Sequence, residues 1–370
     1  MKPIKVLEVI RQGQIGGGES HVLDLVLGFS REEVEPIVMA FTPGHMIDTL
    51  QAKGIQCYVI ETEKAFDSKI QKEIRQIIEK EQIQLIHAHG SRAASNVFRI
   101  AHRMHLPLIY TVHGWSFHQD QSKLIYTLRA WSEKLICHYC SKVICVSESN
   151  RVSGKEAFGL KQADVIENGI NLQRFNPDGN FKDIREELHI GKEEFIIGFI
   201  ARMTLQKSPL DFVESIAIAH KENPNIKGLL IGDGEMKEEV YEYIREKQLE
   251  DCFYLSGFRT DVPDLLNAID VYCLPSLWEG LSIALLEAMA MKKALVVTPT
   301  DGTKEIIRAN QNGLIVDFNH PESLAKAYLH YYHHPELITL YGNNAQEVIQ
   351  TRFNSQRVSD EVTTIYKSLV

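Results

Sequence analysis

The fold is indicated first by a stretch near the amino terminus, which reads KVLEVIRQGQIGGGESHVLDLVLGF over residues 5–29. Its first six residues are a short apolar run of the β type, and residues 20–29 place apolar side chains at helical spacing. A glycine-rich loop joins the two. A strand that leads through glycines into a helix is the usual first unit of a parallel α/β sheet.

The same alternation continues along the chain. Further apolar runs of the β type occupy residues 36–41, 56–60, 84–87, 108–112, 142–146, 195–200, 226–231, 252–255, 271–274 and 294–298, and helical patterns such as residues 70–81 separate them. Strands that alternate with helices predict parallel sheets covered on both faces, so the fold class is α/β and doubly wound.

The domain boundary is indicated by turn formers, which crowd residues 167–179. From Pro321, a residue suited to the first helical position, the pattern is helical to the end of the chain. We therefore predict two Rossmann-like domains, residues 1–170 and 171–352, and a last helix within residues 353–370.

Length and composition narrow the class of protein. The chain has 370 residues, of which 44% are hydrophobic and 24% charged, as in an ordinary two-domain globular protein. The net charge of -9 argues against a nucleic-acid partner held by bulk positive charge. We find no signal-peptide core, no run of 18 apolar residues and no disulfide framework among the six cysteines, and therefore expect a soluble cytoplasmic protein.

The loop after the first strand contains Gly16, Gly17 and Gly18. Glycines allow close approach of the backbone to a ligand, and the helix that follows favours an anion at its N-terminus. The alternative is a tight strand-to-helix turn without a ligand. A dinucleotide site is disfavoured, because no acid that could hold a ribose ends the second strand.

Two loops of the second half carry charges suited to a nucleotide. Arg202 and Lys207 follow the strand at residues 195–200, where they can neutralise a diphosphate without a metal; solvated surface charges are the alternative. Glu279 follows the strand at residues 271–274, and Glu287 lies two turns into an apolar helix, where an acid is costly unless it is hydrogen-bonded. Glu287 is suited to binding vicinal hydroxyls. The alternative is that these carboxylates only cap the helix or lie at its rim.

Between the two acids lie Leu281, Ser282 and Ile283, whose backbone amides can face a phosphate at the start of that helix. The spacing from Glu279 to Glu287 resembles the E-x7-E element of retaining family 4 glycosyltransferases. Other segments resemble the family's motifs in the same order along the chain: the Gly16–Gly18 loop, residues 86–90 with His87 and His89, His113 with Gly114, residues 146–148, residues 168–170, Arg202 with Lys207, Gly232 and Asp233 of a G-D-G turn, and the base-proximal loop Gly257, Phe258 and Arg259.

The resemblance covers nearly the whole chain and implies a GT-B fold, with two Rossmann-like domains facing across a cleft. It implies that the first domain binds the acceptor and the second the nucleotide sugar, and that the last helix crosses back to the first domain. The family roles are diphosphate binding for Arg202 and Lys207, ribose binding for Glu287, contact with donor-sugar hydroxyls for Glu279, and a place near the donor sugar and phosphate for His113. Retention is then explained by attack on the same face of the sugar, with no side-chain nucleophile.

Three alternatives remain beside a polysaccharide or glycolipid glycosyltransferase. They are a transferase for a small soluble acceptor, an epimerase or phosphorylase of the same fold, and a non-catalytic sugar-binding protein. One segment departs from the family pattern. Residues 298–305 contain the single glycine Gly302 where many relatives have two, and they contain an additional acid. The fit of the donor sugar at this loop is left open.

We expect neither a metal nor a cofactor, and a uridine diphosphate sugar is the favoured co-substrate. His87, His89 and His113 could suggest metal ligands, but a strand-end His-x-His without a dedicated acidic partner is more typical of polar packing. No Asp-x-Asp occurs in the chain, which fits a leaving group stabilised by cations and helix N-termini.

The segment 86–145 has a net charge of +5 although the whole chain is acidic. Within it, Lys123, Arg129 and Lys134 are mixed with large apolar residues, namely Leu124, Tyr126, Leu128, Trp131 and Leu135. This mixture suits an anionic membrane surface. We expect reversible docking on the inner membrane face and a lipid-linked or anionic acceptor; the alternative is a core helix with a solvated basic edge.

Overall fold

The computed structural model describes residues 2–13, 16–118 and 121–370. The chain divides into two compact units, one formed by Met1–Gly169 with Ser355–Val370 and the other by Ile170–Asn354. Each unit is built on one parallel sheet.

The first unit contains a sheet whose strands are β1 (Ile4–Ile10), β2 (Val34–Ala40), β3 (Gln56–Val59), β4 (Leu85–His89), β5 (Leu108–Val112), β6 (Lys142–Cys145) and β7 (Asp164–Val165). Their order is β3-β2-β1-β4-β5-β6-β7 and every pair is parallel. The helices between them are α1 (Gly17–Gly28), α2 (His45–Ala52), α3 (Gln71–Glu81), α4 (Ser91–Arg103), α5 (Lys123–Tyr139) and α6 (Glu148–Phe158). The central strands are buried almost throughout, as expected when helices cover both faces of a parallel sheet.

The second unit repeats this architecture with strands β8 (Phe195–Ile200), β9 (Ile226–Ile231), β10 (Phe253–Ser256), β11 (Val271–Leu274), β12 (Ala294–Val297) and β13 (Leu314–Ile315). The order is β10-β9-β8-β11-β12-β13, again all parallel. Its helices are α7 (Ile184–Glu187), α8 (Pro209–Glu222), α9 (Lys237–Glu246), α10 (Val262–Ala268), α11 (Ile283–Ala290), α12 (Asp301–Ile306), α13 (Pro321–His333) and α14 (Pro335–Arg352). The last helix, α15 (Ser355–Leu369), belongs to the first unit.

In each sheet the strand order reverses between the first and the fourth strand, that is between β1 and β4 and between β8 and β11. Open α/β sheets bind ligands beyond the carboxyl ends of the strands at such a switch point. The loops after β1, β4, β8 and β11 are therefore the places where the fold presents a site, and the loop after β5 follows the strand next to β4.

The predicted fold class is confirmed, including two doubly wound parallel sheets and the return of the last helix to the first unit. Val358, Val362 and Tyr366 of α15 are buried in the same apolar cluster as Val22 and Leu25 of α1. Two strands were missed, because β7 and β13 have only two residues each and show no periodicity. Among the described residues, none of the helices combines the length and the apolar character that crossing a bilayer requires.

Candidate active site

The loop after β8 carries the two predicted diphosphate cations. Arg202 is exposed and has no ion pair among the residues that the structure describes. Lys207 ends a single 3-10 turn, Leu205–Lys207, and Ser208 then adopts φ +47° before Pro209 opens α8. A serine in the left-handed region is strained, and such strain is concentrated at functional sites. The loop therefore has a defined conformation that holds Lys207 at the carboxyl end of the sheet.

Lys207 is paired with Glu279, which comes from the loop after β11. The side chains of Lys207 and Glu279 are only 15% and 11% exposed, and the hydroxyl of Ser276 donates to the same carboxylate oxygen at 3.2 Å. The backbones are also joined, because the amide of Leu277 donates to the carbonyl of Gln206 at 2.8 Å. The structure thus joins Lys207 of one predicted motif and Glu279 of the other in a single half-buried ion pair.

The segment at residues 298–305, which departs from the family pattern, packs against the loop that contains Glu279. Its single glycine, Gly302, stands where a Cβ would overlap the carbonyl oxygen of Gly280, and its amide donates to the carbonyl of Glu279 at 3.4 Å. Thr300 caps the start of α12 by accepting from the amide of Thr303 at 3.4 Å. Gly302, the single glycine of this segment, is therefore required for close packing against the loop that contains Glu279.

Glu287 lies on α11 and is half-buried. The fully buried Tyr272 donates its hydroxyl to the carbonyl of Ile200 at 3.2 Å. Burial raises the pKa of Tyr272, and the negative charges of Glu287 and Glu279 raise it further. Both carboxylates are therefore within electrostatic reach of one hydroxyl at the end of the strand that leads to Arg202. The helix α11 begins at Ile283, which is buried, as are Leu281 and Ser282 just before it.

The G-D-G turn packs directly on the cation loop. Gly232 and Gly234 have φ values of +151° and +155°, and a Cβ at either would overlap the carbonyl oxygen of Ala201 or of Met203. The carbonyl of Asp233 accepts from the amide of Met203 at 2.9 Å. Only glycine fits both positions, so this turn fixes the backbone on either side of Arg202.

The predicted base-proximal loop has a structural ion-pair network of its own. The Arg259 guanidinium donates to Asp261 through Nε at 2.9 Å and to Glu187 through Nη1 at 2.5 Å. These hydrogen bonds with two carboxylates hold the pKa of Arg259 above its usual range. Phe258 is exposed and Gly257 lies near the Lys237 ammonium. The structure thus places Arg259 as an anchor of the loop, and a contact with a nucleotide base stays a prediction.

In the first unit, the glycine loop and His113 come together. A Cβ on Gly18 would lie 3.6 Å from Cδ2 of His113, an ordinary packing distance. Gly16 precedes α1 in an extended conformation, and Gly17 has open space where a side chain would be. Gln14 and Ile15 of this predicted loop lie outside the described residues.

Behind His113 lies a buried polar network that the sequence did not reveal. Glu8 of β1 pairs in register with His87 of β4, and its carboxylate accepts from His89 Nε2 at 2.9 Å. His89 Nδ1 lies 3.3 Å from His113 Nε2. The expectation that the His-x-His has no dedicated acidic partner is therefore wrong, because Glu8 is that partner. A single acid among the buried apolar residues 6–10 of β1 was the available signal.

The network is completed by residues from two other elements. Tyr366 of α15 donates to the second oxygen of Glu8 at 2.6 Å and lies 2.5 Å from His87 Nδ1. Thr111 of β5 lies 2.7 Å from His87 Nε2. Burial alone would raise the pKa of Glu8, but the charge and hydrogen bonds of His87 and His89 outweigh it and hold that pKa below its usual range.

Two groups within this network have ligand atoms close enough to share a metal ion. They are His21 with His89 and His113, and Glu8 with His87 and His89, in each of which the ligand atoms lie within 4.8 Å of one another. Burial and the neighbouring His89 and His87 hold the pKa of His21 at about 3. Burial and the charge of His87 hold that of His89 at about 4.

Comparisons with known proteins identify the family of the chain. The family model described as Glycosyltransferase Family 4 matches residues 15–174, and the model described as Glycosyl transferases group 1 matches residues 180–348. The chain is 28% identical over 312 residues to the UDP-Gal:alpha-D-GlcNAc-diphosphoundecaprenol alpha-1,3-galactosyltransferase of Escherichia coli, covering 82% of this chain and 80% of that protein.

A second relative is the alpha-monoglucosyldiacylglycerol synthase of Acholeplasma laidlawii, 22% identical over 373 residues, covering 96% of this chain and 90% of that protein. Among solved structures, Anabaena Alr3699/HepE in complex with UDP and glucose superposes with a TM-score of 0.87 at 21% identity, covering 99% of this chain and 100% of that one. Together these matches show that the chain is a glycosyltransferase of family 4 with the GT-B fold.

Proposed function

We propose that this enzyme is a retaining, metal-independent glycosyltransferase that moves a sugar from a uridine diphosphate sugar to an acceptor hydroxyl. The second unit holds the donor and the first unit the acceptor. The observation that carries the proposal is the Lys207–Glu279 pair at the carboxyl ends of β8 and β11, in the same loop as Arg202, which has no ion pair with any residue that the structure describes. Cations and a sugar-binding acid stand together there, where a nucleotide sugar needs both.

Departure of the nucleotide leaves negative charge on its diphosphate. Arg202, Lys207 and the N-terminus of α11 supply fixed positive potential in the second unit without a metal. Glu279 forms hydrogen bonds with donor-sugar hydroxyls, and Glu287 with the ribose. No nucleophilic side chain is assigned, so the acceptor attacks the face from which the diphosphate departs, and the diphosphate takes the acceptor proton.

Relatives support the uridine donor and the stereochemistry. The Escherichia coli protein is named for UDP-Gal as donor and for an α-1,3 linkage, and the Acholeplasma protein is named for an α-glucosyl product. The common uridine diphosphate hexoses are α-linked, so transfer that gives an α-product retains configuration. The solved Anabaena protein was crystallised with UDP and glucose.

The acceptor that we propose is lipid-linked, as in cell-envelope polysaccharide or glycolipid assembly. The names of the same two relatives specify a diphosphoundecaprenol-linked sugar and a diacylglycerol glycolipid. In this chain the supporting feature is α5, whose apolar side chains at residues 124, 125, 128 and 131 are exposed along one face. They do not line the core, so for these residues the alternative of a core helix fails.

The opposite face of α5 is anchored by a buried carboxylate. Glu133 accepts from the hydroxyls of Ser91 and Ser116 at 2.5 Å each, from the amide of Ser116 at 3.2 Å and from the hydroxyl of Tyr110 at 3.0 Å. Four donors satisfy the charge that burial would otherwise make costly. The helix is therefore held in one orientation, with Leu128 and Trp131 directed away from the sheet.

Basic residues flank the exposed apolar face. Lys123, Arg129 and Lys134 are all exposed, whereas Glu133, the one acid of the helix, is fully buried. Each such cation near an anionic leaflet contributes about 1 kcal/mol, and the apolar side chains add burial in the interface. We assign this face to reversible docking on the inner, cytoplasmic surface of the cell membrane.

The reaction is tested with purified protein, a set of nucleotide sugars and a polyprenyl diphosphate N-acetylhexosamine as acceptor, with EDTA present. We expect transfer from a uridine donor, an α-linked product by proton NMR coupling, and loss of product in Lys207→Ala. An inverted product or strict dependence on added divalent metal would overturn the mechanism. An isomerised nucleotide sugar formed without acceptor would identify an epimerase instead.

Docking is tested separately by co-sedimentation with phosphatidylglycerol or phosphatidylcholine vesicles over a salt series. We expect binding to the anionic vesicles alone, weakened by salt and lost in Trp131→Ser. Leu340→Ser is the matched control, because Leu340 is an exposed leucine of the second unit. Binding to neither vesicle, or equal binding to both, would leave a small soluble acceptor as the better assignment.

A further inference from the structure

The buried network of the first unit ends at His113, and its path runs Glu8, His89, His113. The carboxylate of Glu8 and the ring of His89 are wholly buried, and the His89–Glu8 and His89–His113 nitrogen contacts measure 2.9 and 3.3 Å. No water is needed to connect the three groups. The proton positions along this path therefore follow from the ionisation state of Glu8.

The ionised carboxylate of Glu8 determines which nitrogen of His89 carries a proton. An ionised carboxylate only accepts hydrogen bonds, so the Nε2 of His89 must carry a proton and donate it to Glu8. A neutral imidazole has one protonated nitrogen, which leaves Nδ1 of His89 as an acceptor. The neighbouring Nε2 of His113 must then be the donor across the 3.3 Å contact.

Glu8 is kept ionised by its other neighbours. The hydroxyl of Tyr366 donates to Oε1 at 2.6 Å, and Nδ1 of His87 lies 3.3 Å from Oε2. Tyr366 arrives from α15, so this donor is present only when the last helix is packed against the first unit. Donors on both oxygens compensate the charge that burial would otherwise oppose.

We propose that Glu8, acting through His89, holds His113 as a neutral imidazole with its proton on Nε2, so that Nδ1 of His113 accepts a hydrogen bond from a hydroxyl of the sugar substrate. Glu8 and His89 are positioning residues, and the substrate contact rests on the function proposed above. A neutral His113 contributes no positive charge of its own to the first unit.

The surroundings of His113 agree with a neutral ring. The His21 ring packs edge-on at 4.7 Å between centroids, and the His89 ring stacks at 5.6 Å. Burial, and then the charges of His21, His89 and His87, hold the pKa of His113 well below its usual range. A positive charge on any of these buried rings would be costly, because burial disfavours the charged form.

The test is imidazole nitrogen NMR on the substrate-free protein labelled at histidine, with His113 assigned by His113→Gln. At pH 7 we expect a protonated Nε2 and an unprotonated Nδ1 for His113. In Glu8→Gln the side chain can donate as well as accept, so both tautomers of His113 should appear. The kcat of the Glu8→Gln variant should fall about tenfold, the scale of one lost hydrogen bond. Calorimetry should find its affinity for UDP unchanged.

Thr111→Val is the matched control. Thr111 is equally buried and bonds His87, but it lies off the path to His113, so the tautomer and kcat should stay as in wild type. If Glu8→Gln does not fold by circular dichroism, His89→Gln makes the same substitution one step along the path. Its amide can also donate or accept, so the same mixture of tautomers is expected.

Three results would overturn the proposal. They are an imidazolium or an Nδ1-protonated His113 in the wild type at pH 7, a wild-type tautomer in both variants, and one equivalent of bound metal that shifts the His21, His89 and His113 nitrogens together. All are read without donor or acceptor. A failed transfer assay would therefore count against the proposed function and leave the tautomer result standing.

Discussion

Replacing Glu279 by glutamine should separate binding of the nucleotide from binding of the sugar. In the free protein the Glu279 carboxylate is paired with Lys207, the cation that we assign to the diphosphate. The two side chains are 15% and 11% exposed, so the pair is neither a surface bridge nor a fully buried one. A diphosphate must compete with Glu279 for Lys207, and Glu279→Gln removes that competitor.

The magnitude follows from this burial. Two unit charges about 4 Å apart interact by about 4 kcal/mol at an effective dielectric constant near 20, but desolvation offsets much of that energy. We expect about 1 kcal/mol of it to appear as a gain of about fivefold in UDP affinity. The intact donor loses charge-assisted hydrogen bonds worth about 1.5 to 3 kcal/mol. The dissociation constant of the UDP-sugar divided by that of UDP should therefore rise at least about tenfold.

Isothermal calorimetry with UDP and with a UDP-sugar measures both effects. The matched control is Glu194→Gln, because Glu194 pairs with Lys227 at 2.7 Å with similar exposures of 18% and 22%, but at the amino end of β8. This control should lower stability and leave UDP affinity unchanged. If Glu279→Gln weakens UDP as much as Lys207→Ala does, Glu279 orients the lysine rather than competing for it, and the reasoning is refuted.

Three further outcomes are expected. Alanine at Arg202 or Lys207 should lower turnover by about 10²-fold, the scale of a lost oxyanion donor, with EDTA leaving the wild type active; near-normal turnover would remove the diphosphate assignment. Glu287→Ala should weaken UDP and UDP-sugar together but 2′-deoxy-UDP less, by calorimetry; equal losses for all three would exclude a ribose contact. Because burial holds the pKa of His21 at about 3, while an unfolded histidine titrates near 6.5, the unfolded chain binds the extra proton between these values. The free energy of unfolding should therefore fall on acidification below pH 6.5, by about 1 kcal/mol per pH unit for this histidine, and urea titrations should show a shallower fall in His21→Gln but not in the exposed control His102→Gln.

The sequence determined the parallel sheets because their strands are buried on both faces. A buried parallel strand must be a nearly continuous apolar run, so strands such as β5, β8, β9 and β11 begin and end where the hydrophobic pattern does. The two-residue strands β7 and β13 escape such reasoning, because backbone pairing with a neighbour defines them and side-chain pattern does not.

The loops at the carboxyl ends of the strands were likewise readable, since Arg202, Lys207, Glu279 and Glu287 belong to short motifs whose chemistry is local. Their roles stay predictions. The sequence did not show that Lys207 and Glu279 share one ion pair, because 72 residues separate them and only the neighbouring positions of β8 and β11 bring them together.

Tertiary structure alone decided the network behind His113. Glu8 and Tyr366 are 358 residues apart, and their hydrogen bond exists because the last helix returns to the first sheet. It also decided which face of α5 is exposed, because an apolar pattern is compatible with the core or with a membrane, and the four hydrogen bonds to Glu133 select one orientation. A sequence pattern records which side chains avoid water, whereas proton positions and free surfaces depend on which distant groups meet them in three dimensions.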